Sequence, residues 1–151
     1  MKKITFVGVL GLAVNKKGEF LLTKRNQPGN HRTNAKWQLP GGGMEFGETP
    51  EQVLAREMEE ELKVSVRILY PQPIVRTHVY DKSSAKLQVI LLTYLIDIGG
   101  QKAKIGNHEA SELGWFSADQ VHKLDYLPLT IEFINTAQLI IRKEKILDVL
   151  R

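Results

Sequence analysis

The stretch GETPEQVLAREMEEELKV, Gly47 to Val64, decides how this chain is read. Thr49, Pro50 and Gln52 open a helix: Thr49 stands at the N-cap, Pro50 at the first helical position, and Gln52 completes a capping box. Side chains on such a helix advance by about 100° per residue. Leu54, Met58 and Leu62 therefore share one apolar stripe, the face expected to meet the core. Glu57, Glu60 and Glu61 share the neighbouring face, while Glu59 points toward water. Like charges at i,i+3 and i,i+4 repel on a helix surface. From charge alone, a solvated acidic face is the plainer interpretation. The alternative is a hard divalent cation, Mg²⁺ or Mn²⁺, held by converging carboxylates. Arg56 lies beside that face and is placed to orient one carboxylate through a bidentate bond.

Outward from this helix the pattern is mixed. ITFVGVLGLAV near the N-terminus reads as a first strand, with EFLLTKR as its hairpin partner across the Asn15–Gly18 turn. The basic, apolar, small-residue start also resembles a secretory signal; the hairpin partner favours the strand. A polar loop, Asn26 to Lys36, leads to a short strand WQLP and the glycine-rich GGGMEFGE. Phe46 is expected to pack under that glycine loop. Beyond the acidic helix, VSVRILY and PIVRTHVY read as strands, and LQVILLTYLIDI is apolar enough for a central one. ELGWF reads as a short strand, Ser117 as the cap of a helix from Ala118, and Leu129 to Ile141 as a last helix. The expectation is an α+β chain with one domain over residues 1–151, its sheet formed mostly by hairpins.

The 151 residues are 42% hydrophobic and 25% charged, enough for an ordinary core. There is no cysteine, which removes disulfides, thiolate metal sites and cysteine nucleophiles and suits a reducing cytoplasm. No run reaches the ~18 apolar residues of a membrane helix. The net charge of +4 favours anionic partners, but the basic residues are dispersed, without the stripe that nucleic-acid polymers need. Small phosphorylated ligands suit the same balance.

Gly42, Glu48, Arg56, Glu57, Met58, Glu60, Glu61 and Val64 stand in the register G-x5-E-x7-R-E-U-x-E-E-x-G-U, with U aliphatic. This pattern resembles the box of the Nudix hydrolase family, MutT-like members included. One position departs: Lys63 stands where the family has glycine. A left-handed cap there costs a non-glycine residue about 1–2 kcal/mol, and the helix dipole returns about 0.3–1 kcal/mol to a lysine.

The resemblance implies a Nudix-type α/β/α sandwich with a mixed sheet and a catalytic loop and helix. It implies Mg²⁺-dependent cleavage of a nucleoside diphosphate linked to another group, first of all a (d)NTP, with dinucleoside polyphosphates or ADP-ribose as alternatives. Carried over position by position, Glu57, Glu60, Glu61 and the Gly41 carbonyl are metal ligands. Glu57 also helps deprotonate the attacking water. Arg56 orients one of these carboxylates, and Glu48 supports the loop–helix junction or binds a second metal indirectly. A further carboxylate is expected from NHEASELGWF, with Glu112 preferred over Glu109 by its spacing to Trp115. Arg25, His31 and Arg32, with Lys24 and Lys36, are available for phosphate contacts. Trp37, His78 and Tyr80 are available to stack on a base, although core packing is the plainer role for Trp37. By the same resemblance, Tyr80, sixteen residues past the box, is the aromatic expected of members that cleave dinucleoside polyphosphates, and no proline stands there to favour ADP-ribose. Family members often dimerise, which makes a homodimer the assembly that the resemblance suggests. A non-catalytic nucleotide-binding regulator is a rival, but such members lose box carboxylates that this chain keeps. An isoprenoid isomerase would need a cysteine.

Overall fold

The computed structural model describes residues 1–151. In chain order it contains β1 (Lys2–Ala13), β2 (Phe20–Arg25), β3 (Trp37–Gln38), β4 (Gly41–Gly43), α1 (Pro50–Leu62), β5 (Arg67–Ile68), β6 (Ile74–Asp81), β7 (Ala85–Asp97), β8 (Ala110–Phe116), α2 (Ala118–His122) and α3 (Thr130–Lys143), then a 3₁₀ turn, Ile146–Val149.

β1 and β7 run parallel along their length, from Lys2 opposite Ala85 to Ala13 opposite Ile96. β4 pairs with the other edge of β1, and β5 and β6 pair with the other edge of β7, all antiparallel. The apolar run around Leu87–Asp97 is thus central, as its composition predicts. β3, β2 and β8 form a second, antiparallel sheet.

The hairpin expected between the first two strands does not form. Asn15 builds the turn, its Oδ1 accepting from the Lys17 and Glu19 amides, and Val14 makes a single bridge to Phe20. The chain then crosses into the second sheet, because both edges of β1 are already taken by β4 and β7. Only β6 and β7 form a long hairpin, so the sheet is mixed instead of mostly hairpin-built. VSVRILY contributes only the two residues of β5.

Alternation along the strands sorts two cores onto opposite faces. Leu54, Met58 and Leu62 of α1 pack with Val9, Leu21, Tyr94 and Ile96. Phe133 and Ile134 of α3 pack with Leu12, Phe20, Leu22 and Leu95 on the other side. Helix α1, the sheets, and α2 with α3 form the α/β/α sandwich. Gly11 permits close helix contact, since a Cβ there would lie 2.9 Å from the Met58 sulfur. No helix is long and apolar enough to cross a membrane.

Candidate active site

Helix α1 begins as its sequence requires. Thr49 accepts from the Gln52 amide, and the Gln52 side chain accepts from the Thr49 amide. The Tyr94 hydroxyl, pushed up to about 12 by burial and by its bond to Glu51, donates to that carboxylate and fastens the first turn to β7. The helix ends at Lys63, which adopts the left-handed conformation (φ 56°, ψ 41°) that its position in the box demands.

The apolar stripe fixes the rotation of α1 and carries Glu57 and Glu61 inward, to 8% and 5% exposure. Glu57 packs on the backbone of the glycine strand: a Cβ at Gly42 would stand 2.5 Å from its carboxylate. The Gly41 amide donates to Glu61 Oε2 at 3.2 Å. Arg56 grips Glu48 with two bonds of 2.8 Å, Nε to Oε2 and Nη2 to Oε1. Its Nη1 donates to Glu57 Oε1 at 2.8 Å, and Nη2 also reaches the Gly43 carbonyl. Glu48 accepts from the Glu45 amide as well. Arg56 and Glu48 thus join glycine strand, loop and helix.

A third carboxylate comes from beyond the helix. Glu57, Glu61 and Glu109 bring ligand oxygens within 4.8 Å of one another. The segment carrying Glu109 is held on α1 by carbonyls the helix leaves open: the Gly106 amide donates to Glu61 O at 2.7 Å and the Lys104 amide to Leu62 O at 3.1 Å. Gly106 must be glycine-sized, because a Cβ would meet the Glu60 carbonyl.

The structure thus brings Glu109, and not the preferred Glu112, beside Glu57 and Glu61. Leu113 and Trp115 pack toward α1, so strand alternation sends Glu112 to the opposite face, where it pairs with Lys24 at 3.1 Å. Between Ala110 and Glu112 the β2–β8 register shifts, leaving Ser111 as a bulge two residues after Glu109. Glu60 lies outside the triad, half-exposed and 3.5 Å from Arg56 Nη1.

The electrostatics agree with a cation site. Burial and the nearby Glu57 raise Glu61 to about 8, with Glu109 adding to the shift and the Gly41 amide opposing it. Burial raises Glu57 as well, against the pull of Arg56. Three converging oxygen donors with too little positive charge suit a hard divalent cation.

Glu61 and Glu109 of this triad line a cleft of about 1310 Å³. Alternate residues of β1 and β7, including Phe6, Leu10, Leu87 and Val89, line it together with Gly41, Glu61 and Glu109. Arg25, His31, Arg32 and Tyr80 line it too. Gln27 and Gln38 hold the Arg25 guanidinium, and Arg32 donates to the Asp81 carbonyl. Burial raises the Tyr80 hydroxyl, with Arg25 pulling the other way. The His78 and Tyr80 rings meet edge-on at 4.6 Å. Trp37 does not line the cleft: it packs edge-on against Phe116, 4.9 Å between centroids, within the α3 core. Phe46, expected beneath the glycine loop, is fully exposed.

This chain is similar to known proteins. A NUDIX domain model matches residues 5–135. A putative 8-oxo-dGTP diphosphatase 2 from Mycobacterium tuberculosis is 33% identical over 93 residues, 62% of this chain and 62% of that protein. An ADP-ribose pyrophosphatase from Methanocaldococcus jannaschii is 26% identical over 113 residues, 75% of this chain and 63% of that protein. The chain thus spans somewhat less than two thirds of the length of these curated relatives. The crystal structure of a MutT protein from Methanosarcina mazei Go1 superposes with a TM-score of 0.72 at 24% identity, covering 96% of this chain and 99% of that one, a likeness of fold. By the domain match and by the box residues in place around α1, this chain belongs to the Nudix family.

Proposed function

We propose that the chain is a divalent-metal-dependent pyrophosphohydrolase that cleaves a nucleoside diphosphate linked to another group, a (d)NTP before others, giving a nucleoside monophosphate and pyrophosphate. The observation that carries this is the Glu57–Glu61–Glu109 triad, of which Glu61 and Glu109 line a cleft together with Arg25, His31 and Arg32. Glu57, Glu61 and Glu109 would hold Mg²⁺, with Mn²⁺ as the alternative; Glu60 and the Gly41 carbonyl would add ligands at the rim. When bound, the metal neutralises phosphate charge and lowers the pKa of coordinated water. Glu57 takes the proton of the attacking water as the new P–O bond forms. The anhydride P–O bond breaks, and pyrophosphate leaves with the bonding pair. Arg56 holds Glu57 in place, and Glu48 holds Arg56. Arg25, His31 and Arg32 orient the polyphosphate by charge and hydrogen bonds.

A dinucleoside polyphosphate is the second reading, because Tyr80 lines the cleft and offers a ring on which a second base can stack. The relatives' names differ in substrate, so the nucleotide has to be found by assay. A screen with Mg²⁺ and with EDTA would cover canonical and oxidised (d)NTPs, ADP-ribose, a dinucleoside polyphosphate and NADH, read as phosphate after a coupling enzyme. Turnover abolished by EDTA is the expected result and names the substrate. Nucleotide binding without turnover of any of them would favour the regulator instead.

A further inference from the structure

Glu109 is itself exposed and lies in a loop, so the position of its carboxylate depends on what holds its backbone. One end of the loop is fixed by the α1 carbonyls described above. The other end is held by Asn26, the first residue after β2. Its main-chain N–H donates to the Glu109 carbonyl at 2.9 Å. Its side-chain Nδ2 donates to the His108 carbonyl at 2.8 Å. Two consecutive carbonyls are thus gripped by one residue, just past Arg25–Ala110, the last pair of the β2–β8 ladder after its bulge. A bulge lets the strand bend, and the Asn26 pair holds the chain where the ladder ends.

We propose that Asn26 is a positioning residue that sets Glu109 against Glu57 and Glu61. The inference rests on the reading that this triad holds a divalent cation. Asn26 touches neither the cation nor the substrate in this role. It acts as groups behind metal ligands act, by fixing the ligand's orientation. Its main-chain bond survives any substitution except proline, so truncation to alanine removes only the side-chain half of the grip.

The test is Mn²⁺ affinity of the nucleotide-free protein, measured by electron paramagnetic resonance, in a double-mutant cycle. Asn26→Ala should weaken Mn²⁺ binding about ten-fold, and Glu109→Gln should weaken it at least as much. Asn26→Ala placed on Glu109→Gln should have no further effect, because the carboxylate that Asn26 positions is gone. Asn26→Ser serves as a second variant should the alanine protein melt early, with near-ultraviolet dichroism checking the packing. Mn²⁺ affinity of Asn26→Ala within two-fold of the parent would overturn the proposal. So would an equal loss in the Glu109→Gln background, which would mark Asn26 as a general scaffold residue. If Glu109→Gln itself bound Mn²⁺ like the parent protein, the cation reading of the triad would fall with it.

Discussion

Glu48, just before α1, and Glu61, in its last turn, are carboxylates of one motif in opposite surroundings. Two hydrogen bonds from Arg56 and one from the Glu45 amide hold Glu48 at about 2, well under the ordinary 4.5. Glu61 has no cationic side chain against it; burial, Glu57 and Glu109 raise it to about 8. At the start of the helix the chain supplies its own positive charge. At the end it gathers negative charge with no cationic side chain against Glu61. The first arrangement holds the loop, and the second has the properties of a binding site.

The largest expected effects come from exchanging each carboxylate for its amide. Glu61→Gln should lower turnover about 10²–10⁴-fold, a loss of the size seen when a group acting at the reaction centre is removed. Yet in EDTA at pH 9 the same change should stabilise the protein by about 2–4 kcal/mol, because a buried, repelled charge disappears. Glu48→Gln should act with the opposite sign on stability, lowering the melting temperature by stranding Arg56, and should cost turnover about 10–100-fold. Thermal melts and steady-state rates on both variants decide this. If both variants lost stability in EDTA, the two ends of the helix would be electrostatically alike and the contrast would be wrong.

The pH dependence sharpens the same contrast without mutation. Glu61 is raised in the fold, so between pH 4.5 and about 8 the unfolded chain has released a proton that the folded chain keeps. The metal-free protein should therefore lose stability as pH rises through that window, with Glu57 contributing in the same direction. Glu48 is lowered, so its contribution is present above pH 4.5 and is lost as pH falls toward about 2. Saturating Mg²⁺ or Mn²⁺ should flatten the alkaline decline and leave the acid side in place. A melting curve equally steep from pH 5 to 8 with and without metal would mean that no cation binds at Glu61.

Much of this contrast is legible in the sequence, because it is local. Thr49 and Gln52 cap the helix, the Leu54–Met58–Leu62 stripe sets its rotation, and rotation decides that Glu57 and Glu61 turn inward. What the sequence conceals is long-range. The partner of β1 is β7, far along the chain, and a turn at Asn15–Gly18 looks the same whether it joins paired strands or two sheets. The choice between Glu109 and Glu112 hangs on the bulge at Ser111, which has no marker in composition. Asn26 stands at the start of a polar loop beside several other polar residues, and only its distance to His108 separates it from them. Trp37 offers the same aromatic ring to a base or to Phe116, and the second sheet settles the matter.

The smallest expected effect belongs to Lys63, where the chain departs from the family pattern. Its left-handed backbone, φ 56° and ψ 41°, is the conformation that glycine adopts without steric cost. Lys63→Gly should relieve about 1–2 kcal/mol of that cost. Against this stand the lost lysine–dipole attraction, about 0.3–1 kcal/mol, and the greater freedom of a glycine in the unfolded chain, about 0.4–1 kcal/mol. The terms nearly cancel, so the net change should stay within about 1 kcal/mol of zero, read as a small shift in denaturation midpoint at unchanged slope. Turnover should stay within two-fold. Glu61 is located by the Gly41 amide on its carboxylate and the Gly106 amide on its carbonyl, and neither depends on the Lys63 side chain. A several-fold change in rate with the fold intact would show that Lys63, not the loop clamp alone, governs where Glu61 sits.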